Sequence, residues 1–179
     1  MKATGIVRRI DDLGRVVIPK EIRRTMRIRE GDSLEIYTDK DGEVIFKKYS
    51  PMGELSSFAA QLCETMNKTT GASTAVIDRD SVVAAAGPAR REIYEKRISE
   101  ELERIMEGRQ IYQYKQGEPR VPVIDGGSLY VDVAAPIIAE GDVSGCVLFV
   151  SSGEGEPTGE TEYKLAQTVA GFLGRQMEA

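Results

Sequence analysis

The sequence contains no histidine among its 179 residues. This absence excludes Ser-His-Asp triads, Cys-His pairs and imidazole metal ligands together. Cysteine is scarce as well, because only Cys63 and Cys146 are present and they lie far apart in the sequence. They form neither a CxxC pair nor a disulfide framework, so we expect two buried free thiols in a reducing cytosol. The sequence therefore predicts no catalytic residue, no metal site and no cofactor.

Long hydrophobic runs are also missing. The longest mostly apolar stretch, residues 143–150, is far shorter than the ~20 residues that a membrane-spanning helix needs. Residues 1–20 carry charged side chains throughout and have no apolar region of the kind that signal peptides contain. With 41% hydrophobic and 30% charged residues, the composition is typical of a folded globular protein. We therefore predict a soluble, cytoplasmic protein without a membrane partner.

Charge is distributed unevenly along the chain. The net charge is −5, which taken alone argues against nucleic acid as a partner. Residues 1–50, however, hold 12 Lys and Arg against 9 Asp and Glu, whereas residues 51–179 hold 12 against 20. Turn-forming residues at 50–53 separate a strand pattern from a helical pattern. We therefore predict two domains, residues 1–50 and 51–179, of opposite charge.

The first domain has the pattern of a small β-β-α-β-β unit. Turn-forming residues at 11–14 separate two predicted strands, and Pro19 suits the start of a helix that should run to about Ile28. A second turn at 39–42 separates two more strands. The predicted strands are residues 5–10, 15–18, 33–38 and 43–48. Fifty residues bury little surface by themselves, so we expect this domain to form an intertwined dimer.

Basic side chains cluster on this domain. At about 100° per residue, the basic side chains of the predicted helix share one face, while Ile22 and Met26 point to the other. Guanidinium groups on rigid elements suit phosphate oxygens and guanine edges. No aromatic residue precedes Tyr37, so the stacking platforms of single-strand and RNA binders are absent. We therefore predict binding to double-stranded DNA through Arg8, Arg9, Arg15, Lys20, Arg23, Arg24 and Arg27.

Residues 1–19, MKATGIVRRIDDLGRVVIP, followed by Arg23, Arg24 and Thr25, closely resemble the AbrB-type swapped-hairpin DNA-binding domain of bacterial transition-state regulators. The resemblance covers essentially all of residues 1–50. It implies an obligate dimer in which the chains exchange hairpins to close a β-barrel. It also implies DNA contacts by arginines at positions 8, 15, 23 and 24. Position 9, often lysine in that family, is arginine here and keeps its charge.

The second domain alternates helical and strand patterns, which predicts an α+β fold with an antiparallel sheet. Helices are predicted at 54–68, from Pro88 onward and at 160–177, and strands at 73–78, 82–86, 129–139 and 143–150. The second helix has an apolar stripe through Tyr94, Ile98, Leu102 and Ile105. The first and last helices have stripes that either cover their own sheet or join two dimers as a tetramer. These stripe residues are Leu55, Phe58, Leu62, Met66, Leu165, Val169, Phe172 and Met177.

Two segments of the second domain have more than one possible interpretation. Residues 153–159 superficially suggest a phosphate loop, but they lack lysine and carry Glu154 and Glu156. We predict a flexible loop there, with Thr158 capping the last helix. Residues 109–125, which include Tyr112, Tyr114 and Arg120, are either the lid of a pocket or a plain surface loop.

Residues 135–147 resemble the strand-turn-strand signature of GAF-type sensory domains. Together with the first domain, this resembles a family of sporulation-specific transcription regulators and implies activation of some genes and repression of others. The GAF-like domain is expected to mediate assembly and to sense an unidentified small molecule. One alternative is a small GAF-fold enzyme similar to free methionine sulfoxide reductases, although those rely on clustered cysteines. Another is an antitoxin-type DNA-binding protein, although antitoxins usually end in a disordered tail.

Overall fold

A computed structural model describes residues 5–178, which form two compact units that meet in the sequence between Tyr49 and Ser50. The first unit contains one short helix and one β-hairpin. Its elements are α1 (Lys20–Thr25), β1 (Leu34–Thr38) and β2 (Val44–Lys48). β1 and β2 pair antiparallel, with Tyr37 opposite Ile45. In the turn between them, the Asp39 carboxylate accepts hydrogen bonds from the backbone N–H groups of Asp41 and Glu43.

Helix α1 is shorter than the sequence pattern predicts. It follows Pro19 and ends at Thr25 instead of continuing to Ile28. Arg27 has a φ of 48°, which is left-handed and cannot continue an α-helix. The backbone N–H of Ile28 then donates to the carbonyl of Arg23 at 2.8 Å, a bond typical of helix C-termini. Arg27 therefore lies beyond the helix on which the periodicity placed it.

The two strands predicted at residues 5–10 and 15–18 are not formed in the single chain. The turn between them is present: Gly14 has a φ of 76°, and the Asp11 N–H donates to the Arg15 carbonyl at 3.0 Å. The flanking residues find no ladder partner within residues 5–49. A strand needs a neighbour for its backbone groups, and the chain alone supplies none here.

The described part of the first unit, residues 5–49, has no hydrophobic core of its own. Among residues 5–49 only Pro19 is buried. Val7 is 91% exposed, and eleven other large apolar side chains of this unit are also exposed. These are Ile6, Ile10, Leu13, Val16, Val17, Met26, Ile36, Tyr37, Val44, Ile45 and Tyr49.

The second unit is an antiparallel five-stranded sheet with helices on both faces. The strand order is β4-β3-β7-β6-β5. Its helices are α2 (Pro51–Glu54), α3 (Ser56–Thr70), α4 (Arg90–Ile93), α5 (Glu100–Glu107) and α6 (Glu160–Met177). Its strands are β3 (Ser73–Ile77), β4 (Val82–Ala86), β5 (Tyr112–Gln113), β6 (Tyr130–Ala139) and β7 (Asp142–Ser151).

Two buried cores lie on the two faces of this sheet. One core includes Cys63 of α3 and Leu173 of α6 together with Phe149 of β7. The other includes Ile93 of α4 and Leu102 of α5, again packed on sheet residues. Helix α6 approaches the sheet closely, because a Cβ atom at Gly174 would lie 2.3 Å from the carbonyl oxygen of Ile138.

The single helix predicted after Pro88 is two helices, because the chain leaves helical geometry between α4 and α5. There the N–H of Glu95 donates to the Val82 carbonyl, and the N–H of Val82 donates to the Lys96 carbonyl. The intervening segment thus occupies the free edge of β4. The Ser99 hydroxyl then caps α5 by accepting from the Leu102 N–H at 3.1 Å.

The N-terminal ends of α3 and α6 also differ from the prediction. A short α2, capped by the Ser50 hydroxyl, precedes α3. Thr158 does not cap α6: the Glu162 carboxylate instead accepts a hydrogen bond from the Gly159 N–H at 2.9 Å. Within residues 5–178, no helix combines the length and apolar character needed to cross a bilayer.

Candidate nucleic-acid interface

Helix α1 presents three of the predicted DNA-contacting side chains together. Lys20 and Arg24 are exposed and Arg23 is half-buried. With Glu21 they line an open depression on the surface of the first unit. Arg8 and Arg9 precede the helix in the chain, are exposed, and have no ion pair within the described part of the chain. Their charges are therefore available to an external anion.

Arg15 is held by an acid of the same turn. The Asp11 carboxylate accepts hydrogen bonds from the Arg15 N–H at 2.7 Å and from the Leu13 N–H at 3.0 Å. Its other oxygen accepts from Arg15 Nε at 2.8 Å. The backbone hydrogen bond from Arg15, followed by the side-chain bond from Arg15, lowers the pKa of Asp11. Asp11 was not among the predicted site residues, although its four-residue spacing from Arg15 was visible in the sequence.

Arg27 has a different environment from the other predicted contacts. Its carbonyl oxygen accepts a hydrogen bond from Lys48 Nζ at 2.9 Å. The same ammonium group lies 3.2 Å from Asp32 Oδ2, which also accepts from the Arg29 N–H. This network fixes the turn after α1 against β2. No periodicity in the sequence indicates it, because Lys48 and Arg27 are 21 residues apart.

The apolar stripes of α3 and α6 mostly pack within the second unit. Met66 is 3% exposed in the chain's own core, and six other stripe residues are partly buried against that core. These six are Leu55, Phe58, Leu62, Leu165, Val169 and Met177. Phe172 is the exception at 43% exposed, and its ring lies 5.6 Å from that of Phe58.

Residues 109–125 are not a plain surface loop, because they are attached to the sheet. Tyr112 begins the short edge strand β5, and Tyr114 is buried. The guanidinium of Arg120 lies 4.0 Å from the centre of the Tyr114 ring and 3.4 Å from the Asp132 carboxylate. Asp132 is 5% exposed and also accepts from the Ser151 hydroxyl at 2.9 Å. Burial raises the pKa of Asp132, and the bonds from Ser151 and Arg120 oppose that rise.

Both cysteine thiols are buried on opposite faces of the sheet. Burial raises the pKa of Cys63 and of Cys146 to about 12 in each case. Because the thiolate is the reactive species, both groups are poor nucleophiles in the folded chain.

Comparison with known proteins connects the two units to regulators of transcription. A family profile described as "Stage V sporulation protein T C-terminal, transcription factor" matches residues 54–178. Another, described as "Antidote-toxin recognition MazE, bacterial antitoxin", matches residues 7–53. The transition state regulatory protein AbrB of Bacillus subtilis is 65% identical over 51 residues, which cover 28% of this chain and 52% of AbrB.

The second unit has the fold of a GAF domain. The solved GAF domain of PixJ from Thermosynechococcus elongatus matches with a TM-score of 0.54 and 13% identity, covering 73% of this chain and 89% of that one. The chain is thus a transcription factor in which an AbrB-like DNA-binding domain precedes a GAF-like domain. Over its whole length it is 49% identical to stage V sporulation protein T of Bacillus subtilis, covering 99% of each chain. It belongs to the stage V sporulation protein T family.

Proposed function

We propose that the first unit binds duplex DNA as a dimer of two chains, and that the second unit joins two such dimers and regulates them. The observation that carries the proposal is the coexistence, within residues 5–49, of free surface cations and an incomplete apolar core. The cations supply affinity for phosphates, and the exposed apolar side chains require a partner surface.

The partner that fits the apolar surface of the first unit is a second copy of the same unit. Residues 5–10 and 15–18 have strand-forming sequence but no strand partner, and Val7, Ile10 and Val17 are largely exposed. Exchange of hairpins between two chains satisfies the backbone groups and buries these side chains together. It also doubles the number of arginines that face one DNA segment.

The DNA-binding proposal is tested by the salt dependence of affinity. If about 6 to 8 phosphates are neutralised, log affinity falls with log salt concentration with a slope of roughly −5 to −7. Replacing Arg15 and Arg23 with alanine together should weaken binding strongly and flatten the slope. Arg104→Ala, on the exposed surface of α5, is the control that should change neither. A flat salt response of the unaltered chain would refute the proposal.

A second copy is also the occupant that suits the exposed face of α6. Phe172 is exposed beside Gly171, and a Cβ atom at Gly171 would meet no atom within 4 Å. A glycine inside an exposed helix costs about 1 kcal/mol relative to alanine. No atom of the described residues requires a glycine there. Close approach by a helix of another chain supplies a reason, and it supports pairing of second units into a tetramer.

Light scattering tests this assembly. We expect residues 1–53 to form dimers and the full chain to form tetramers, which Phe172→Asp or Phe58→Asp reduces to dimers. Gly171→Ala separates the two roles of α6, because it stabilises the helix if the face is free in solution and weakens the tetramer if another helix packs there. A full-length dimer at micromolar concentration would refute the tetramer.

The chemistry of the two thiols supports a regulator without enzymatic activity. A methionine sulfoxide reductase of this fold relies on clustered, reactive cysteines. Here the two thiols have raised pKa values and are separated by the sheet, so they are neither clustered nor reactive. Serine at both positions should leave DNA affinity intact in a chain that remains folded. The folded second unit likewise differs from the disordered toxin-binding tail expected of an antitoxin.

For small-molecule sensing, the cluster around Arg120 is the best-supported location. Arg120 Nη1 bonds Asp132, and its other N–H groups have no hydrogen-bond partner in the described part of the chain. Thermal unfolding of the full chain in the presence of individual anionic metabolites tests this proposal. A stabilising compound should lose its effect in Arg120→Ala and retain it in Arg109→Ala, a surface arginine of the same segment.

A further inference from the structure

Arg15 differs from its neighbouring cations in having an acid of its own chain against its guanidinium. Within residues 5–178, neither Arg8 nor Arg24 has such a partner. Through its charge alone, an acid on a surface that binds phosphate weakens sequence-independent affinity for DNA, because it repels the backbone and occupies a donor. Asp11 therefore requires an explanation other than gain in affinity.

The geometry of the turn shows what Asp11 does to Arg15. Asp11 Oδ1 accepts from the N–H groups of Leu13 and Arg15, and Oδ2 accepts from Arg15 Nε. A backbone bond from Asp11 to the Arg15 carbonyl closes the turn. All these partners lie within five residues, so the arrangement is complete in one chain and does not depend on the proposed dimer. One carboxylate thus fixes both the backbone and the side chain of Arg15.

The contact through Nε leaves the two terminal nitrogens of Arg15 without a partner among the described residues. A guanidinium held at Nε presents its terminal N–H groups in a fixed direction. Paired donors of this kind match the O6 and N7 acceptors of guanine in the major groove. A pre-oriented side chain also loses less conformational entropy when it binds.

We propose that Asp11 is a positioning residue that sets the sequence specificity of Arg15, by orienting its guanidinium toward a base edge while disfavouring indiscriminate phosphate contacts. The proposal rests on the proposed binding of duplex DNA by the first unit. It predicts that Asp11 lowers affinity for unrelated DNA and raises the ratio of specific to nonspecific affinity.

Two isosteric variants separate positioning from charge. In Asp11→Asn the side-chain oxygen still accepts from the Leu13 and Arg15 N–H groups, but the amide nitrogen cannot accept from Arg15 Nε. Asp12→Asn removes the same charge from the adjacent residue, which is exposed and has no hydrogen bond within the described part of the chain. The two variants therefore differ in the Arg15 contact and match in net charge.

The experiment measures affinities of the full chain for two duplexes, one selected by the unaltered protein from a random-sequence pool and one with that sequence shuffled. Asp11→Asn should lower the specific-to-nonspecific ratio about tenfold, with tighter binding to the shuffled duplex. Asp12→Asn should leave the ratio unchanged. In an Arg15→Ala background, Asp11→Asn should have no further effect on the ratio, whereas a merely structural role would persist there.

An unchanged ratio in Asp11→Asn, or the same change in Asp12→Asn, would overturn the role of Asp11 while leaving DNA binding by the first unit intact. If the ratio falls equally with and without Arg15, Asp11 acts on the turn rather than through Arg15, and the proposal is also overturned. If Arg15→Ala itself changes neither affinity nor ratio, the contact assigned to Arg15 falls together with this proposal. Circular dichroism of each variant confirms that the compared chains are folded.

Discussion

The two units of this chain differ in how far each completes its own structure. Residues 50–178 bury two cores on either side of a five-stranded sheet, and their large apolar side chains are mostly inside. Residues 5–49 bury only Pro19 and leave a dozen large apolar side chains at the surface. Since burial of apolar surface is the main favourable contribution to folding, the second unit accounts for its own stability and the first does not.

This difference indicates that the two units have separate roles, DNA binding in the first and assembly in the second, as proposed above. In the proposed dimer, the basic groups of two chains lie side by side, so DNA affinity and dimer formation would depend on each other. If the second unit joins two dimers as proposed, a change in that unit would alter assembly without altering any DNA contact. Substitutions in each unit test that contrast, and the largest effect is expected in the second unit.

The second unit should be sensitive to internal overpacking. Gly174→Ala places a Cβ atom 2.3 Å from the Ile138 carbonyl oxygen, a distance that real structures do not tolerate. We expect a loss of about 3 kcal/mol in the free energy of unfolding, measured by urea denaturation of the full chain. Gly53→Ala, whose added Cβ would make only ordinary contacts with Ser50, is the matched control. Equal effects of the two substitutions would contradict the close packing of α6 on β6.

In the first unit, substitution of apolar side chains that are exposed in the single chain should destabilise the proposed dimer. Val7→Asp replaces a residue that is 91% exposed, so it should cost nothing if the unit is monomeric. Burying a valine contributes about 1.5 to 3 kcal/mol, and we expect at least this loss of dimer stability for each chain, measured by sedimentation. Thr38→Asp, at an exposed polar position of the same unit, should leave the dimer unchanged.

The Arg120–Asp132 pair should stabilise the second unit mainly by compensating a buried acid. Arg120→Ala leaves the Asp132 charge without its partner and should cost about 2 kcal/mol at neutral pH, less than a fully buried pair because Arg120 is 21% exposed. Asp132→Asn should restore much of this loss, since the amide oxygen still accepts from Ser151. A double-mutant cycle by urea denaturation measures the coupling, and strictly additive effects would contradict it.

The last expected effect is absent at neutral pH and appears only above pH 9. Burial raises the pKa of both thiols from 9.0 to about 12, so the unfolded chain loses thiol protons before the folded chain does. The contribution of the protonated thiols to the free energy of unfolding is fully present below pH 9 and is lost as the pH rises toward 12. Serine at both positions should therefore reduce the fall in unfolding free energy between pH 9 and 12. An unchanged pH profile would contradict the burial of these thiols.

The sequence predicted the elements whose signals are local. The turn at residues 39–42 and the helix α6 follow from turn chemistry and from helical periodicity, and the structure confirms both. The interruption between α4 and α5 was missed, because an apolar stripe continues through Tyr94 and Ile98 while the edge of β4 takes up the intervening backbone. That competition is a tertiary effect which the periodicity of one segment does not contain.

The candidate site was predictable in its residue types but not in its partners. The basic face of α1 followed from helical geometry. The position of Arg27, in contrast, depended on its own left-handed backbone conformation and on a hydrogen bond from Lys48, which is far away in the sequence. The pairing of Arg120 with Asp132 likewise needs the bulge in β6 that interrupts the strand register between Val131 and Val133. Charge and periodicity identify surfaces, but contacts between distant segments fix individual side chains.

Amide hydrogen exchange of residues 5–18 in the full-length protein tests the central claim most directly. Among residues 5–178, a single chain provides no strand partner for residues 5–10 or 15–18. If a second copy completes the first unit, amides in these segments should exchange orders of magnitude more slowly than in an unstructured peptide, and Val7→Asp should abolish the protection. Exchange at the unstructured rate in the unaltered protein at micromolar concentration would contradict the account.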